Sequence, residues 1–73
     1  MKKFTVAVVG ATGAVGQTML AILAERKFPI EKLHVLASER SAGSHILFGG
    51  QKITVEDLAR FDPTGVDFAL FSA

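Results

Sequence analysis

Residues 6–16 constrain the fold more than any other part of the chain. They read V-A-V-V-G-A-T-G-A-V-G, an apolar and mostly β-branched run followed by a turn with glycines at positions 10, 13 and 16. A strand, a glycine-rich turn and a helix in this order are typical of α/β domains that hold a pyrophosphate at a helix N-terminus. The spacing is GxxGxxG rather than the more common GxGxxG, so a glycine-rich turn that binds nothing is the alternative.

The three glycines of this turn are expected to have separate roles. Gly10 lets the chain turn sharply after the strand, and Gly13 lets the backbone approach the phosphates because it has no Cβ atom. Gly16 allows the new helix to pack closely against the strand. Thr12 lies inside the turn, where its hydroxyl is expected either to bind a phosphate or to cap the helix, and capping is the more common role.

The chain is short and apolar, which bounds what it can form alone. Its 73 residues allow one domain at most, and folding at this size buries only about 60% of the surface of the unfolded chain. It contains no cysteine, so disulfides and thiolate metal sites are excluded. Since 49% of the residues are hydrophobic and the mean hydropathy is +0.40, we expect the chain to be part of a larger α/β domain or to associate with more protein.

Charge and hydropathy exclude several classes of partner and location. The formal net charge is +1, which gives no electrostatic case for a nucleic-acid or membrane partner. No apolar run approaches the ~20 residues that span a bilayer, and the glycine turn interrupts the stretch that would otherwise resemble a signal peptide. A cytoplasmic protein is therefore expected. His34 and His45 have no partner at metal-ligand spacing, so no metal site is predicted.

The hydrophobic pattern predicts an α/β fold of the Rossmann-like, doubly wound parallel type, of which this chain is the N-terminal part. Strands are predicted at residues 4–9 and 33–37, with a helix at 14–27 between them, which makes a right-handed βαβ unit. After a polar loop at 38–44, a hairpin at 46–48 and 52–55 turns at Gly49-Gly50, and one helical turn is predicted at 56–60. A third main strand is predicted at 66–71. Five phenylalanines are expected in the core: Phe4, Phe48, Phe61, Phe68 and Phe71.

The predicted strand order places a crevice beside the glycine turn. The last strand is expected to lie beside the first, on the side opposite the second strand. The order then reverses above the carboxyl ends of the first and last strands, where ligands bind in open α/β sheets. The glycine turn and Ser72 are both expected to border this crevice.

The residues after the second strand bear on the choice of cofactor. Dinucleotide-binding domains often place an acid about 20 residues past the glycine turn, where it binds the ribose hydroxyls. Here the strand is followed by Ser38, Glu39, Arg40 and Ser41. Arg40 with two hydroxyls suits a 2′-phosphate, because guanidinium is a planar cation with forked donors. The pattern favours NADP over NAD, although Glu39 is a candidate ribose acid and an ordinary solvated arginine is the alternative for Arg40.

No residue of the chain is a convincing nucleophile or general base. Serines and threonines are present, but none has an activating neighbour in the sequence. Glu56 and Asp57 are interpreted as charges at the start of a helix rather than as an acid–base pair. The sequence therefore predicts a cofactor-binding portion without catalytic residues.

Four segments in series resemble the N-terminal part of the bacterial aspartate-β-semialdehyde dehydrogenase family. They are G-A-T-G-A-V-G at 10–16, R-K-F-P at 26–29, L-A-S-E-R-S-A-G at 36–43 and A-L-F-S-A at 69–73. The resemblance covers the whole chain, and the second half of the series is more specific than the glycine turn. It implies a homodimeric enzyme of lysine, methionine, threonine and isoleucine biosynthesis that reductively dephosphorylates aspartyl-β-phosphate with NADPH.

The resemblance also implies roles for individual residues. Those implied to cradle the pyrophosphate are Thr12, Gly13, Ala14 and Val15; those implied to bind the 2′-phosphate are Ser38, Arg40 and Ser41; and Ser72 is implied to line the cofactor crevice. The family's catalytic cysteine, acid–base histidine, substrate-binding arginines and second domain have no counterpart in residues 1–73.

Two other functions are compatible with these motifs. One is a non-catalytic paralogue or binding protein on the same fold, which shares the glycine turn but is disfavoured by Arg40-Ser41 and the F-S-A element. The other is a related NADP-dependent acyl-phosphate reductase, such as the acetylglutamyl-phosphate enzyme. That group usually carries an aromatic residue where Ala14-Val15 stand, so it ranks last.

Overall fold

A computed structural model describes residues 2–71, which form one five-stranded sheet with a helix packed on it. The strand order is β3-β4-β2-β1-β5. The elements are β1 (Phe4–Val9), α1 (Ala14–Glu25), β2 (Ile30–Ala37), β3 (His45–Phe48), β4 (Gln51–Asp57), a 3₁₀ turn (Leu58–Arg60) and β5 (Phe68–Phe71). This confirms the predicted α/β, Rossmann-like fold. No helix of residues 2–71 is long and apolar enough to cross a membrane.

The core lies between α1 and one face of the sheet. Because side chains alternate along a strand, Val6 and Val8 of β1 point to the same face as Val35 of β2 and Val55 of β4, and all four are at most 1% exposed. Leu20 of α1 covers them and is itself buried. The packing of Leu20 on these four valines fixes the position of α1 on the sheet, and therefore the direction in which its N-terminus points.

The helix ends two residues earlier than the pattern predicts, at Glu25 rather than Lys27. Lys27 has a left-handed backbone with φ of 52°. Its N–H donates to the Ala24 carbonyl at 3.2 Å, and the Phe28 N–H donates to the Leu23 carbonyl at 3.1 Å. This is the Schellman arrangement that ends helices, with lysine where glycine is usual.

The sheet is parallel except for the edge strand β3. β1 pairs with β2 and with β5, β2 pairs with β4, and β3 runs antiparallel to β4. The predicted hairpin is present, but no sequence pattern indicated that β4 extends the sheet beside β2. Three boundaries differ from the predictions: β2 begins at Ile30, β4 continues to Asp57 before the helical turn, and β5 begins at Phe68.

The connection from β4 to β5 passes over the sheet face opposite α1. Leu58, Phe61 and Val66 of this connection line one pocket together with Ala7 and Leu36 of that face. Crossovers that run in opposite directions from one sheet lie on opposite faces when both are right-handed. The two faces are therefore each crossed once, as a doubly wound sheet requires.

The prediction that five phenylalanines lie in the core is wrong for Phe68 and Phe71. Phe68 is 46% exposed and Phe71 is 71% exposed. Phe68 still belongs to an aromatic cluster with Phe4 and Phe28, whose ring centroids lie 5.1–6.1 Å apart. Phe71 lies on the opposite face of the edge strand β5, where no neighbouring strand within residues 2–71 lies beyond it.

Candidate functional site

The glycine turn is tied to the end of the neighbouring strand. The N–H groups of Gly10 and Ala11 both donate to the Leu36 carbonyl of β2, at 2.8 and 3.1 Å. Gly10 has φ of 80°, a left-handed conformation that favours glycine. The sharp turn predicted for Gly10 is confirmed, and its two hydrogen bonds hold the turn in register with β2.

The N-terminus of α1 presents free backbone donors. Gly13 is the N-cap residue, and no side chain caps the helix. The alternative role of Thr12 as a helix cap is therefore wrong. Within residues 2–71, the N–H groups of Ala14, Val15 and Gly16 donate to no acceptor, and no acidic residue stands in the first turn. Three unpaired donors at the positive end of a helix dipole are suited to bind an anion.

The later two glycines of the turn differ in what their missing Cβ atoms allow. A Cβ on Gly16 would lie 2.2 Å from the Gly10 carbonyl oxygen and 2.7 Å from the Ala11 Cα, so no side chain fits. This confirms that Gly16 permits close packing, although its contact is the turn backbone. A Cβ on Gly13 would meet only the Gly10 carbonyl oxygen, at an ordinary 3.5 Å. The protein itself does not require glycine at position 13.

The polar loop after β2 is a folded turn. The N–H groups of Ser41 and Ala42 both donate to the Ser38 carbonyl, at 2.9 and 3.1 Å. The Ser44 hydroxyl donates to the Ser41 carbonyl. These bonds curl the backbone of the loop, so Arg40 lies at the outer part of a closed turn.

The far end of this loop is held by β4. The Gly43 N–H donates to the Val55 carbonyl at 2.9 Å, and the Val55 N–H donates to the Ser44 carbonyl at 2.8 Å. Gly43 has φ of 91°, which favours glycine at this position. The loop is therefore positioned by main-chain bonds, while the side chains of Ser38 and Arg40 are exposed and Ser41 is half-buried.

The exposed Arg40 is available to a ligand. In the part of the chain that the structure describes, the one contact of salt-bridge length joins His34 and Glu56, so Arg40 is not neutralised by a described carboxylate. Glu39 beside it forms no such pair either. An exposed guanidinium on a fixed turn suits an anion with several oxygens.

The topology brings the two loops together. Val9 at the end of β1 pairs with Leu36 of β2 on one side and with Phe71 of β5 on the other. The glycine turn and the loop at 38–44 therefore follow neighbouring parallel strands at the same edge of the sheet. The predicted reversal of strand order between β2, β1 and β5 is confirmed. Ser72, predicted to border the crevice, lies outside the described residues.

Comparison with known proteins identifies the family to which this arrangement belongs. Residues 5–73 match the family model described as semialdehyde dehydrogenase, NAD binding domain. The chain belongs to this family. A nicotinamide dinucleotide-binding domain is what the strand order, the glycine turn and the free donors of α1 are suited to form.

Curated and solved relatives of the semialdehyde dehydrogenase family agree with this assignment. An aspartate-semialdehyde dehydrogenase of Legionella pneumophila is 56% identical over 99% of this chain and 21% of its own length. One from Bacillus subtilis is 53% identical over 93% of this chain and 20% of its own length. The crystal structure of aspartate semialdehyde dehydrogenase II from Vibrio cholerae, complexed with ASA, matches with a TM-score of 0.94 and 51% identity, over 99% of this chain and 24% of that chain. The chain thus spans about a fifth of the length of the curated relatives it matches.

The residues present fit the nicotinamide dinucleotide that appears in the description of this family. A pyrophosphate needs backbone donors, a close approach and no nearby carboxylate. The first turn of α1 has unpaired donors and no acid, and Gly13 has space where a side chain would stand. No cluster of three or more histidine, aspartate or glutamate side chains among residues 2–71 could hold a metal ion. The site within these residues is suited to an anionic ligand.

Sequence reasoning missed four side-chain contacts among the described residues. His34 Nδ1 lies 2.7 Å from Glu56 Oε2, and the His34 ring packs on Phe61 with centroids 4.9 Å apart. Because β2 and β4 are neighbours in the sheet, residues 22 positions apart in the chain meet. Glu56 is thus a strand residue rather than a helix-start charge. No local pattern could have indicated the pairing of β2 with β4.

The other two contacts fix backbone. Asp67 receives a hydrogen bond from the Thr5 N–H at 2.8 Å and donates its own N–H to the Thr5 carbonyl at 2.9 Å, which aligns β5 with β1. The Gln17 side chain donates to the Thr12 carbonyl at 3.1 Å. A signal for the second contact was present, since Gln17 stands one turn into the helix behind Gly13.

Hydrogen bonds set the charge of one carboxyl on the connection to β5. The side chain and the N–H of Thr64 hold the pKa of Asp62 below its ordinary value, since both favour the carboxylate. Asp62 is fully exposed, and the bond that its side chain accepts from the Thr64 N–H at 2.9 Å belongs to a local turn.

Proposed function

We propose that this chain is the NADP-binding part of an aspartate-semialdehyde dehydrogenase. The observation that carries the proposal is that two groups without a described partner lie at the same edge of the sheet, after neighbouring strands. They are the free N–H groups of Ala14, Val15 and Gly16 and the exposed Arg40 on the neighbouring loop. One suits the pyrophosphate common to all nicotinamide dinucleotides, and the other suits the phosphate that distinguishes NADP.

In the proposed site, each segment of the chain binds one part of the cofactor. Thr12, Gly13, Ala14 and Val15 cradle the pyrophosphate, with the Thr12 hydroxyl free to donate to a phosphate oxygen. The 2′-phosphate is held by the Arg40 guanidinium and by the hydroxyls of Ser38 and Ser41. Ser72, which follows β5 in the sequence, lines the cofactor crevice in this proposal.

The proposed whole protein reductively dephosphorylates aspartyl-β-phosphate to the semialdehyde. NADPH supplies the hydride when bound. The catalytic cysteine, the acid–base histidine and the dimerisation domain lie outside this chain, which by itself holds the cofactor and catalyses nothing. In this proposal the whole protein is a cytoplasmic homodimer that takes part in the synthesis of lysine, methionine, threonine and isoleucine.

Replacement of a relative's matched segment tests this function. This chain is substituted for the matching residues of the Vibrio cholerae enzyme, to which it is 51% identical. The chimera is assayed for oxidation of aspartate semialdehyde with phosphate and NADP, by the absorbance of the NADPH formed. The chain is expected to support turnover with NADP and much less with NAD.

The same assay distinguishes the alternative. A chimera that folds, binds NADPH and shows no turnover would favour a non-catalytic binding protein on this fold. A folded chimera that binds neither NADPH nor NADH would contradict the proposed function altogether.

A further inference from the structure

We propose that Gln17 is a positioning residue that sets the glycine turn for the pyrophosphate. Its side-chain amide donates to the Thr12 carbonyl at 3.1 Å, and its backbone N–H donates to the Gly13 carbonyl at 2.9 Å. One residue, a turn into α1, thus holds the two consecutive carbonyls that flank Gly13. The inference rests on the proposed dinucleotide site and deepens it.

Holding these carbonyls fixes where the neighbouring N–H groups point. A trans peptide is planar, with its C=O and N–H directed oppositely. The Thr12 carbonyl is directed to the Gln17 side chain, and the N–H of the same peptide donates to the Gly10 carbonyl at 3.1 Å. The Gly13 carbonyl is directed to the Gln17 backbone, so the Ala14 N–H of that peptide points out of the helix end, where an anion would bind.

The Gln17 side chain adds a restraint at the one part of the turn where no capping side chain acts. Gly13 is the N-cap and has no side chain, and the helix has no other side-chain cap. Glycine has the largest conformational freedom of any residue. If the peptide between Thr12 and Gly13 rotated, its N–H would leave the Gly10 carbonyl, and the backbone that leads into the first turn of α1 would change its course. The Gln17 side chain opposes that rotation by occupying the carbonyl.

The chemistry predicts a particular signature. Gln17 acts on the pyrophosphate cradle, which NADP and NAD share, so its loss weakens both nucleotides by the same factor. Arg40 acts on the 2′-phosphate, so its loss weakens only NADP. Since the Gln17 side chain is exposed and makes one neutral hydrogen bond, its removal leaves no buried group unpaired and affects the fold little.

The test compares two substitutions on adjacent residues. Gln17→Met keeps the length of the side chain and removes the donor. Thr18→Val is the matched control, because the Thr18 hydroxyl donates at 3.0 Å to the Ala14 carbonyl within the helix and does not reach the turn. Dissociation constants for NADPH and NADH and the nucleotide-free Tm are measured on this chain. They are also measured on the Vibrio cholerae chimera, so that the comparison can still be made if the short chain alone is only marginally folded.

Gln17→Met is expected to weaken NADPH and NADH equally, by about two- to tenfold, with a Tm equal to that of Thr18→Val. Equal affinity in Gln17→Met and the parent would overturn the inference while leaving the proposed function intact. A loss of affinity accompanied by a Tm below that of Thr18→Val would also overturn it, because the effect would then be one of folding. Failure of the parent to bind either nucleotide would overturn the proposed function itself.

Discussion

The glycine turn and the loop after β2 sit at the same sheet edge but are built in opposite ways. The turn offers backbone donors, and its essential feature is the absence of side chains at Gly13 and Gly16. The loop is closed by its own backbone bonds and offers the side chains of Ser38, Arg40 and Ser41. A backbone site serves any ligand with a pyrophosphate, whereas a side-chain site can discriminate between two such ligands. Changes in the turn should therefore affect folding or all nucleotides, and changes in the loop should affect one nucleotide.

The largest effect is expected from Gly16→Ala. Its Cβ would lie 2.2 Å from the Gly10 carbonyl oxygen. Since the atoms on both sides of this contact are backbone, the clash can be relieved only by moving the turn or the helix. We expect a loss of about 3 kcal/mol or more in the free energy of unfolding, measured by urea denaturation of the chimera. Because domains have only about 0.05–0.15 kcal/mol of stability per residue, this variant should be largely unfolded in the isolated chain. A stable, nucleotide-binding Gly16→Ala protein would refute the packing role of Gly16.

Arg40→Ala should separate the two nucleotides. Loss of a charge-assisted hydrogen bond costs about 1.5–3 kcal/mol, or roughly ten- to a hundredfold in the dissociation constant of NADPH. NADH binding should be unchanged, because NADH has no 2′-phosphate. Arg26→Ala is the control, since it removes the same charge at the opposite end of α1. An equal loss for both nucleotides would show that Arg40 does not bind the 2′-phosphate.

Gly13→Ala is the variant that sharpens the contrast within the turn itself. With φ of −78° and ψ of 167° and an ordinary 3.5 Å contact for its Cβ, the substitution should fold with little change in stability, because the gain in unfolded-state entropy offsets the poorer N-cap preference of alanine. It should at the same time weaken NADPH and NADH equally, because the Cβ stands where the phosphates approach. Thermal melting and nucleotide titration of the same sample measure both effects. Unchanged affinity would mean that no phosphate comes close to Gly13.

The smallest effect is expected at the far end of α1, where no ligand is proposed. Lys27 has φ of 52°. A left-handed backbone costs a residue with a side chain about 1–2 kcal/mol of folding free energy. Glycine avoids this cost but loses more conformational entropy on folding, which cancels part of the gain. Lys27→Gly should raise Tm by about 2–4 °C and leave nucleotide affinity unchanged. Arg26→Gly is the matched control, since Arg26 has φ of −83° and should gain nothing. A change in NADPH affinity in Lys27→Gly would contradict the confinement of the site to the carboxyl edge.

Local patterns predicted the elements of the fold and the loops of the site. The run at β1, the glycine turn and the stripe of α1 are set by neighbours in the chain, so alternation and spacing were sufficient to place them. The end of α1 was misplaced, because a Schellman turn with Lys27 in place of glycine has no sequence signature. The exposure of Phe71 was also missed, because burial depends on which strand lies beyond β5.

Long-range pairing was the part that sequence could not supply. The attachment of β4 to β2, and with it the contact of His34 with Glu56, joins residues whose separation carries no periodic signal. The anchoring of the loop by Val55 follows from the same pairing. The sequence indicated Arg40 as a site residue, but the rigidity of the loop that carries it is a property of the assembled sheet.

The most direct test of the account is a set of backbone amide chemical shifts measured by NMR during titration of the folded chain with three ligands. NADPH should shift the amides of Ala14, Val15 and Gly16 together with those of Arg40 and Ser41. NADH should shift the helix amides alone, and adenosine 2′,5′-bisphosphate should shift chiefly the loop. Shifts with NADPH that miss both segments, or identical shifts with NADPH and NADH in the loop, would contradict the assignment of the turn to the pyrophosphate and of the loop to the 2′-phosphate.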